Sequence, residues 1–366
     1  MAEPKSVIWD LPEHSRGKHL VLRHYLGAWF PIIGSRFARF LFIDGFAGPG
    51  EYSAGELGSP IIALDTYLEH RHRPRFRAEA VFVFIEKSEE RSKHLEALIE
   101  ARRERIPDAC KVEVVTGAFD KEMSEALDSL HAAGESLAPS FVMIDPFGVS
   151  DTPMAVIARI LANPQAEVYI TFMADFIERF GGTDEFRGHL SGLFGTGDWQ
   201  GGLSLQGVER REFYYFLYER QLRLAGAQHV VRFDLFEGNR LVYAIFFGTG
   251  NPLGANRMKE AIWRVDPLGG FEFRGGRGGQ ATLQLETTDF RPLVNALKHR
   301  FRGRGPVTIG EIEAFVASDR TDYYTTQLRE RALIPLEDAG AIEISPALGR
   351  KRRRHSFPPG TRVVFK

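Results

Sequence analysis

The stretch Phe42-Ile43-Asp44-Gly45-Phe46-Ala47-Gly48-Pro49-Gly50 constrains this chain more than any other. With Phe40 and Leu41 before it, it forms a short apolar run that stops abruptly at an acid and then at glycines. Such a run suits a buried parallel strand, which is covered on both faces and therefore apolar nearly throughout. Glycines just beyond it let the backbone pass close to a ligand at the strand's carboxyl end, where open α/β sheets bind their cofactors. The spacing Gly45-x-x-Gly48-x-Gly50 is not the dinucleotide pattern Gly-x-Gly-x-x-Gly, and no Gly-Lys-Ser/Thr follows to cradle a triphosphate. NAD and ATP both lose ground.

Strands and helices alternate around this loop. Apolar residues at helical spacing over 17–30 (Leu20, Val21, Leu22, Tyr25, Leu26, Trp29) predict a helix that ends before Pro31. Beyond the loop the pattern predicts helix 59–69, strand 80–85, helix 88–105, strand 111–116, helix 121–133, strand 140–144, helix 153–162 and strand 167–173. That order implies an α/β fold, an open parallel sheet with helices on both faces. The alternation stops over about 174–226, where glycines and aromatics crowd and 209–224 is the one clear helix. An insertion of this kind is expected to cover a site or read a substrate. Strand-like 230–235 and 241–248 then suggest a hairpin, and 256–265 a closing helix.

A length of 366 residues allows about two domains. The first is expected over 1–268, insertion included. The run 269–280, with six glycines, reads as a flexible Gly/Arg-rich linker. Helical periodicity over 290–301, 309–317 and 325–339, followed by strand-like 341–344 and 361–365, predicts a winged helix-turn-helix domain over 281–366. The chain's 47 Lys and Arg nearly cancel its 48 Asp and Glu, but from Arg291 onward 15 basic residues face 8 acidic ones, leaving 32 against 40 before it. The run Arg350-Lys351-Arg352-Arg353-Arg354 falls where a wing would turn, and nucleic-acid contact is expected there through phosphate pairing and counterion release.

A single cysteine, Cys110, excludes an intramolecular disulfide and a Cys-built zinc site, and fits a reducing compartment. No stretch offers the roughly 18–20 uninterrupted apolar residues needed to cross a bilayer. Charges and a proline stand in Met1–Asp10 where a signal peptide needs an apolar run. A cytoplasmic protein without a membrane partner is expected.

Three further strand ends carry candidate chemistry. Phe84-Ile85-Glu86-Lys87 puts an acid at the tip of the second strand, where its two oxygens suit the paired hydroxyls of a ribose. Gly117-Ala118-Phe119-Asp120 brings an acid and free backbone toward the same crevice, where either suits an adenine amino group. At the fourth strand, Ile144-Asp145-Pro146-Phe147-Gly148 offers a carboxylate and carbonyl to a substrate amine, and in Phe147 a face for a base; the alternative is a tight turn with Asp145 as helix cap.

Together these loops resemble the class I S-adenosylmethionine-dependent methyltransferases, with Asp44 to Gly50 as the methionine-facing loop, Glu86 as the ribose acid, and Asp145-Pro146-Phe147-Gly148 as a variant of the Asp-Pro-Pro-Tyr motif of amino-methylating nucleic-acid enzymes. With Gly58-Ser59-Pro60, Phe247-Gly248-Thr249, Gly254 and Met258-Lys259 added, the chain is similar over nearly its whole length to the bacterial three-Cys-motif partner proteins. The resemblance implies a Rossmann-like methyltransferase sheet, a C-terminal winged helix, S-adenosylmethionine as cofactor and a cysteine-motif protein as partner. Asp-Pro-Phe-Gly lacks the second proline and terminal aromatic of Asp-Pro-Pro-Tyr, which weakens the likeness to N6-adenine enzymes. Lys18-His19 resembles a pair preceding the cofactor loop in some ribosomal-RNA adenine methyltransferases; on that likeness Lys18 reaches the cofactor carboxylate, while an exposed helix lysine is the plainer expectation.

Two functions compete. One is methyl transfer to an exocyclic amine of DNA or RNA, which needs orientation and a dry pocket but no metal. The other is a non-catalytic nucleic-acid-binding or adaptor protein that keeps the cofactor fold. A metal-dependent nuclease is disfavoured, because the candidate acids sit at separate strand ends.

Overall fold

The structure is a computed structural model and describes residues 6–148, 151–173, 177, 184–238, 240–268, 271–273, 288–347 and 351–366. The chain divides into two compact units, Met1–Asn251 with Glu272–Gly279, and Pro252–Phe271 with Gln280–Lys366.

The first unit is built on β1 (Arg39–Asp44), β2 (Glu79–Glu86), β3 (Cys110–Thr116), β4 (Ser140–Ile144), β5 (Ala166–Phe172), β6 (His229–Glu237), β7 (Arg240–Thr249) and the short β8 (Glu272–Phe273). Their order across the sheet is β3-β2-β1-β4-β5-β7-β6-β8. The first five strands are parallel, and β7 enters antiparallel between β5 and β6. Every residue of β4 and β5 is buried, as the apolar runs predict.

The helices of this unit are α1 (Glu13–Arg36), α2 (Ser59–Leu68), α3 (Glu89–Glu100), α4 (Phe119–Ala132), α5 (Met154–Leu161), α6 (Asp184–Phe194) and α7 (Gly207–Leu224). Contrary to the expected stop before Pro31, α1 runs on to Arg36. A proline inside a helix leaves the carbonyl four residues back without its donor, and here the His70 ring stands 3.0 Å from the Gly27 oxygen in that donor's place. A buried Glu167 at the start of β5 ties α1 to the sheet: Tyr25 donates to it at 2.5 Å and Thr249 of β7 at 2.8 Å.

Two stretches read from the sequence as an insertion and a linker contribute to the fold in part. Most of 174–183 lies outside the described residues, but the stretch that follows sends several aromatics into the core: Phe172 meets Tyr218 at 4.5 Å between ring centroids, and Phe194, Trp199, Tyr214 and Tyr215 are fully buried around them. This part of the insertion packs on the sheet. Within the expected linker, much of which also lies outside the described residues, Glu272–Phe273 pairs in parallel with Asp234–Leu235 of β6. Phe273 presses so closely on α1 that a Cβ at Gly17 would stand 2.5 Å from its ring.

The second unit contains α8 (Pro252–Val265), α9 (Arg291–Phe301), β9 (Val307–Thr308), α10 (Ile309–Ala317), a helical stretch α11 made of Thr325–Leu328, the π turn Arg329–Leu333 and Ile334–Asp338, and the strands β10 (Ile342–Ser345) and β11 (Arg362–Phe365). The sheet order is β10-β11-β9, so a third strand joins the expected hairpin. Helix α8, read from sequence as closing the first domain, packs within this unit instead. Its buried Lys259 caps α10 by donating to the carbonyls of Val316 at 2.5 Å, Ser318 at 2.6 Å and Thr321 at 3.0 Å, and the Trp263 indole donates to Asp322 at 2.7 Å. Helix carbonyls left open at a C-terminus need such donors.

Candidate functional site

The order of strands reverses between β1 and β4, since β2 and β3 lie to one side of β1 and β5 to the other side of β4. Loops leaving such neighbours diverge and open a crevice at their carboxyl ends. Asp44–Gly50 leaves β1 there, and Asp145–Gly148 leaves β4. A cavity open to solvent lies between them, lined by Lys18, Phe46, Ala47, Gly48, Gly50, Asp145, Pro146 and Phe147, and also by Trp9, Tyr52 and Tyr243.

The glycine loop turns sharply because Gly48 and Gly50 adopt φ of 63° and 85°, a region that side chains with a Cβ disfavour. It then closes on itself through a 2.7 Å bond from Gly58 N to Gly50 O. Glu86 fixes its height: one carboxylate oxygen accepts from Gly48 N at 2.9 Å and the other from Ser88 N at 2.8 Å. The expected ribose acid is therefore buried at the tip of β2, bonded to loop backbone, and does not line the cavity wall. Carboxylate oxygens keep further lone pairs after these bonds.

The charged floor comes from Lys18 and Asp145, which form an ion pair. The lysine is not the exposed helix residue that surface patterning suggested: its side chain is 5% exposed, since α1 lies against the sheet. Burial opposes the charge on each group, yet each stabilises the other, so Lys18 is held protonated above its usual range and Asp145 ionised below its own. His19 is buried too, and burial next to the Lys18 ammonium lowers its pKa to about 3, which keeps the imidazole neutral. Asp44 contrasts with Asp145. Burial pushes its carboxyl up to about 7, against the hydrogen bonds it accepts from the Ser59 side chain and from Phe46 N, the latter at 3.2 Å.

The remaining sequence candidates separate. Gly45 and Phe119 pack on each other beneath the loop: Phe119 is 1% exposed, and a Cβ on Gly45 would stand 2.3 Å from its ring. Phe119 is thus a core residue, and Ala118 is the N-cap of α4. Asp120 lies in the first turn of that helix, and Lys87 is exposed and paired with Asp151 at 3.3 Å. None of Asp44, Gly45, Lys87, Ala118, Phe119 and Asp120 lines the described cavity. Sequence reading missed Trp9, Tyr52 and Tyr243. Tyr243 has no local signal, because only the insertion of β7 beside β5 brings it near α1, where its ring centroid lies 5.8 Å from the Lys18 ammonium.

Five parallel strands in the order 3-2-1-4-5, continued by an antiparallel seventh strand set between the fifth and sixth, decide the architecture. The fold is that of the class I methyltransferases. No model of a protein family matches the sequence, and no curated protein is similar to it. Solved structures similar to it include a Legionella pneumophila protein labelled DUF519 (13% identity, TM-score 0.38, 69% of this chain and 90% of that one). A human methyltransferase 10 domain containing protein matches at 13% identity and TM-score 0.31, over 63% and 83% of the two chains. An O-methyltransferase from Bacillus cereus in complex with SAH matches at 15% and 0.33, over 68% and 93%. At such scores the assignment of the fold rests on the strand order itself. Among the described residues no helix is long and apolar enough to cross a membrane.

The basic run of the second unit is divided in use. Arg350 lies outside the described residues. Arg352 pairs with Glu337 and stacks on Phe357 at 5.3 Å, while Arg354 and His355 pair with Asp338 at 2.5 and 2.8 Å. These charges neutralise the acidic end of α11; among the described residues of the run, Lys351 and Arg353 are exposed and form no ion pair.

Proposed function

We propose that this protein is an S-adenosylmethionine-dependent methyltransferase that acts on an exocyclic amine of a nucleic acid. The observation that carries the reading is that the glycine loop and Asp145 line one cavity at the switch point of the sheet, with Asp145 held ionised by Lys18.

The residues present fit the cofactor. Aromatic and glycine walls suit the adenosyl and thioether parts, and the Lys18 ammonium at the floor suits the carboxylate of the amino-acid end. When bound, the cofactor supplies an electrophilic methyl group on a sulfonium. The chain's own part is orientation. Asp145, anionic at neutral pH, accepts a hydrogen bond from the acceptor's N–H and leaves the nitrogen lone pair directed away from itself. Phe147 offers a face to the acceptor base, which leaves its stack to reach the pocket if it belongs to a duplex. Pro146 holds the chain direction between them.

The C-terminal unit, which we take as a winged helix, supplies phosphate contacts through Lys351 and Arg353. The likeness to the three-Cys-motif partner proteins belongs to the same proposal and adds a cysteine-motif protein as working partner. Its motif residues away from the cavity are scaffolding: Thr249 bonds Glu167, and Lys259 caps α10.

A tritiated-methyl transfer assay on DNA and RNA, with nucleoside mass spectrometry of the product, tests the reading. Incorporation at an exocyclic amine that is lost in Asp145→Ala is the expected result. No incorporation into either nucleic acid by wild-type protein that binds S-adenosylmethionine refutes the nucleic-acid acceptor.

A further inference from the structure

The segment before α1 is built into the site, although no motif marks it. Ser53 N donates to the Trp9 carbonyl at 2.9 Å, Ser53 Oγ bonds Asp10, and Arg91 reaches the Ser6 carbonyl at 3.5 Å. These bonds place the Trp9 indole over the glycine loop, 3.7 Å from where a Cβ on Gly48 would stand. The ring is braced on three sides: edge-on to Tyr52 at 5.9 Å, edge-on to Phe147 at 5.7 Å, and beneath the Arg91 guanidinium at 5.1 Å. Arg91, itself 5% exposed, stands 3.9 Å from the Glu86 carboxylate that holds Gly48. Trp9 is therefore tied both to the loop after β1 and to the tip of β2.

That position bears on one half of the pocket. The Lys18 side of the floor suits the carboxylate of an amino-acid end, which leaves the loop at Gly48, with its aromatic neighbours, as the side for the nucleoside. A large flat ring held over that side, with the Arg91 guanidinium over one face, presents a ready stacking surface to a purine and keeps water off it. We infer that residues 6–12 are a fitted roof of the cofactor pocket and that Trp9 is the stacking surface for the adenosine of the cofactor. This inference rests on the methyltransferase reading and adds to it a specificity residue outside the motifs that suggested it.

The test uses the full chain and S-adenosylhomocysteine as the probe, with calorimetry for affinity and tryptophan emission for location. Trp29, Trp199 and Trp263 are buried in the two cores, so a ligand-dependent change in emission comes from Trp9. Wild type is expected to bind with such a change. Trp9→Phe keeps a flat ring and is expected to bind within about threefold of wild type without the change, whereas Trp9→Ala raises Kd about tenfold or more at an unaltered melting temperature. Equal affinity in wild type and Trp9→Ala overturns the roof and leaves the methyltransferase reading intact. Failure of wild type itself to bind overturns both. If Trp9→Ala does not fold, the Phe variant decides: an emission change that persists without Trp9 overturns the inference.

Discussion

Lys18 of α1 and Asp145, the residue after β4, form an ion pair at the floor of the crevice, with the lysine side chain 5% exposed and the aspartate 23% exposed. One partner comes from a helix that precedes the sheet, the other from a strand end 127 residues later. The pair explains how a carboxylate keeps its charge in a partly buried pocket. It also makes each residue's loss distinguishable. Lys18→Met leaves a poorly solvated anion and is expected to destabilise the fold by about 3 kcal/mol, while Lys18→Met combined with Asp145→Asn recovers part of that loss. Urea unfolding of the single and double variants measures the coupling; additive losses would mean that the pair contributes nothing.

Asp145→Asn retains size and keeps an acceptor oxygen but loses the charge. Methyl transfer is expected to fall roughly 100-fold while S-adenosylhomocysteine affinity changes little. The comparison of turnover with calorimetric Kd checks this, and undiminished turnover would remove the carboxylate from the reaction.

Asp44 titrates in the opposite sense to Asp145. Its folded pKa of about 7 lies above the ordinary carboxyl value, so the native state binds the proton more tightly than the unfolded chain. Its contribution to stability is full at acid pH below the unfolded value and declines as pH rises through 7. Asp44→Asn does not titrate. Relative to wild type, the variant is expected to gain about 2 kcal/mol between pH 5 and pH 7.5. Denaturant titrations at the two pH values decide, and a constant difference would contradict the assigned burial effect.

Lys259→Met removes the donor shared by the carbonyls of Val316, Ser318 and Thr321. Stranding buried acceptors is expected to cost about 3 kcal/mol in the C-terminal unit. Hydrogen exchange of the α10 amides reads this locally, and protection equal to wild type would refute the capping role.

Within the basic run, Lys351 and Arg353 separate from Arg352. Replacing the first two by Ala is expected to weaken nucleic-acid binding and lower the salt slope by about 2, with thermal stability unchanged. Arg352→Ala, which breaks the contacts to Glu337 and Phe357, is expected to lower the melting temperature instead. Equal salt slopes in wild type and the double variant would show that this turn meets no phosphate.

Strand positions and the glycine loop were legible because their signals are local. A run such as Phe40 to Ile43 states its own burial, and the acid and glycines after it state where the backbone must turn. Helix ends were less legible: Pro31 marks a stop by its own chemistry, and the His70 ring that satisfies Gly27 lies 43 residues away. Phe119 illustrates a harder limit, since an aromatic at a strand end reads alike whether it faces a ligand or packs beneath a glycine.

By itself the sequence determined that strands and helices alternate, that the chain leaves β1 through a glycine loop, and that acids stand at the ends of three neighbouring strands. Short-range sterics and hydrophobic periodicity are written in consecutive residues. Only the tertiary structure decided which of those acids meets the cavity, that Glu86 spends its oxygens on Gly48 and Ser88, that Lys18 pairs with Asp145, and that Trp9 and Tyr243 join them. Those outcomes depend on how separate elements pack around the reversal in strand order. Pairing energies between groups distant in the chain exist only once that packing has brought them out of water and into contact.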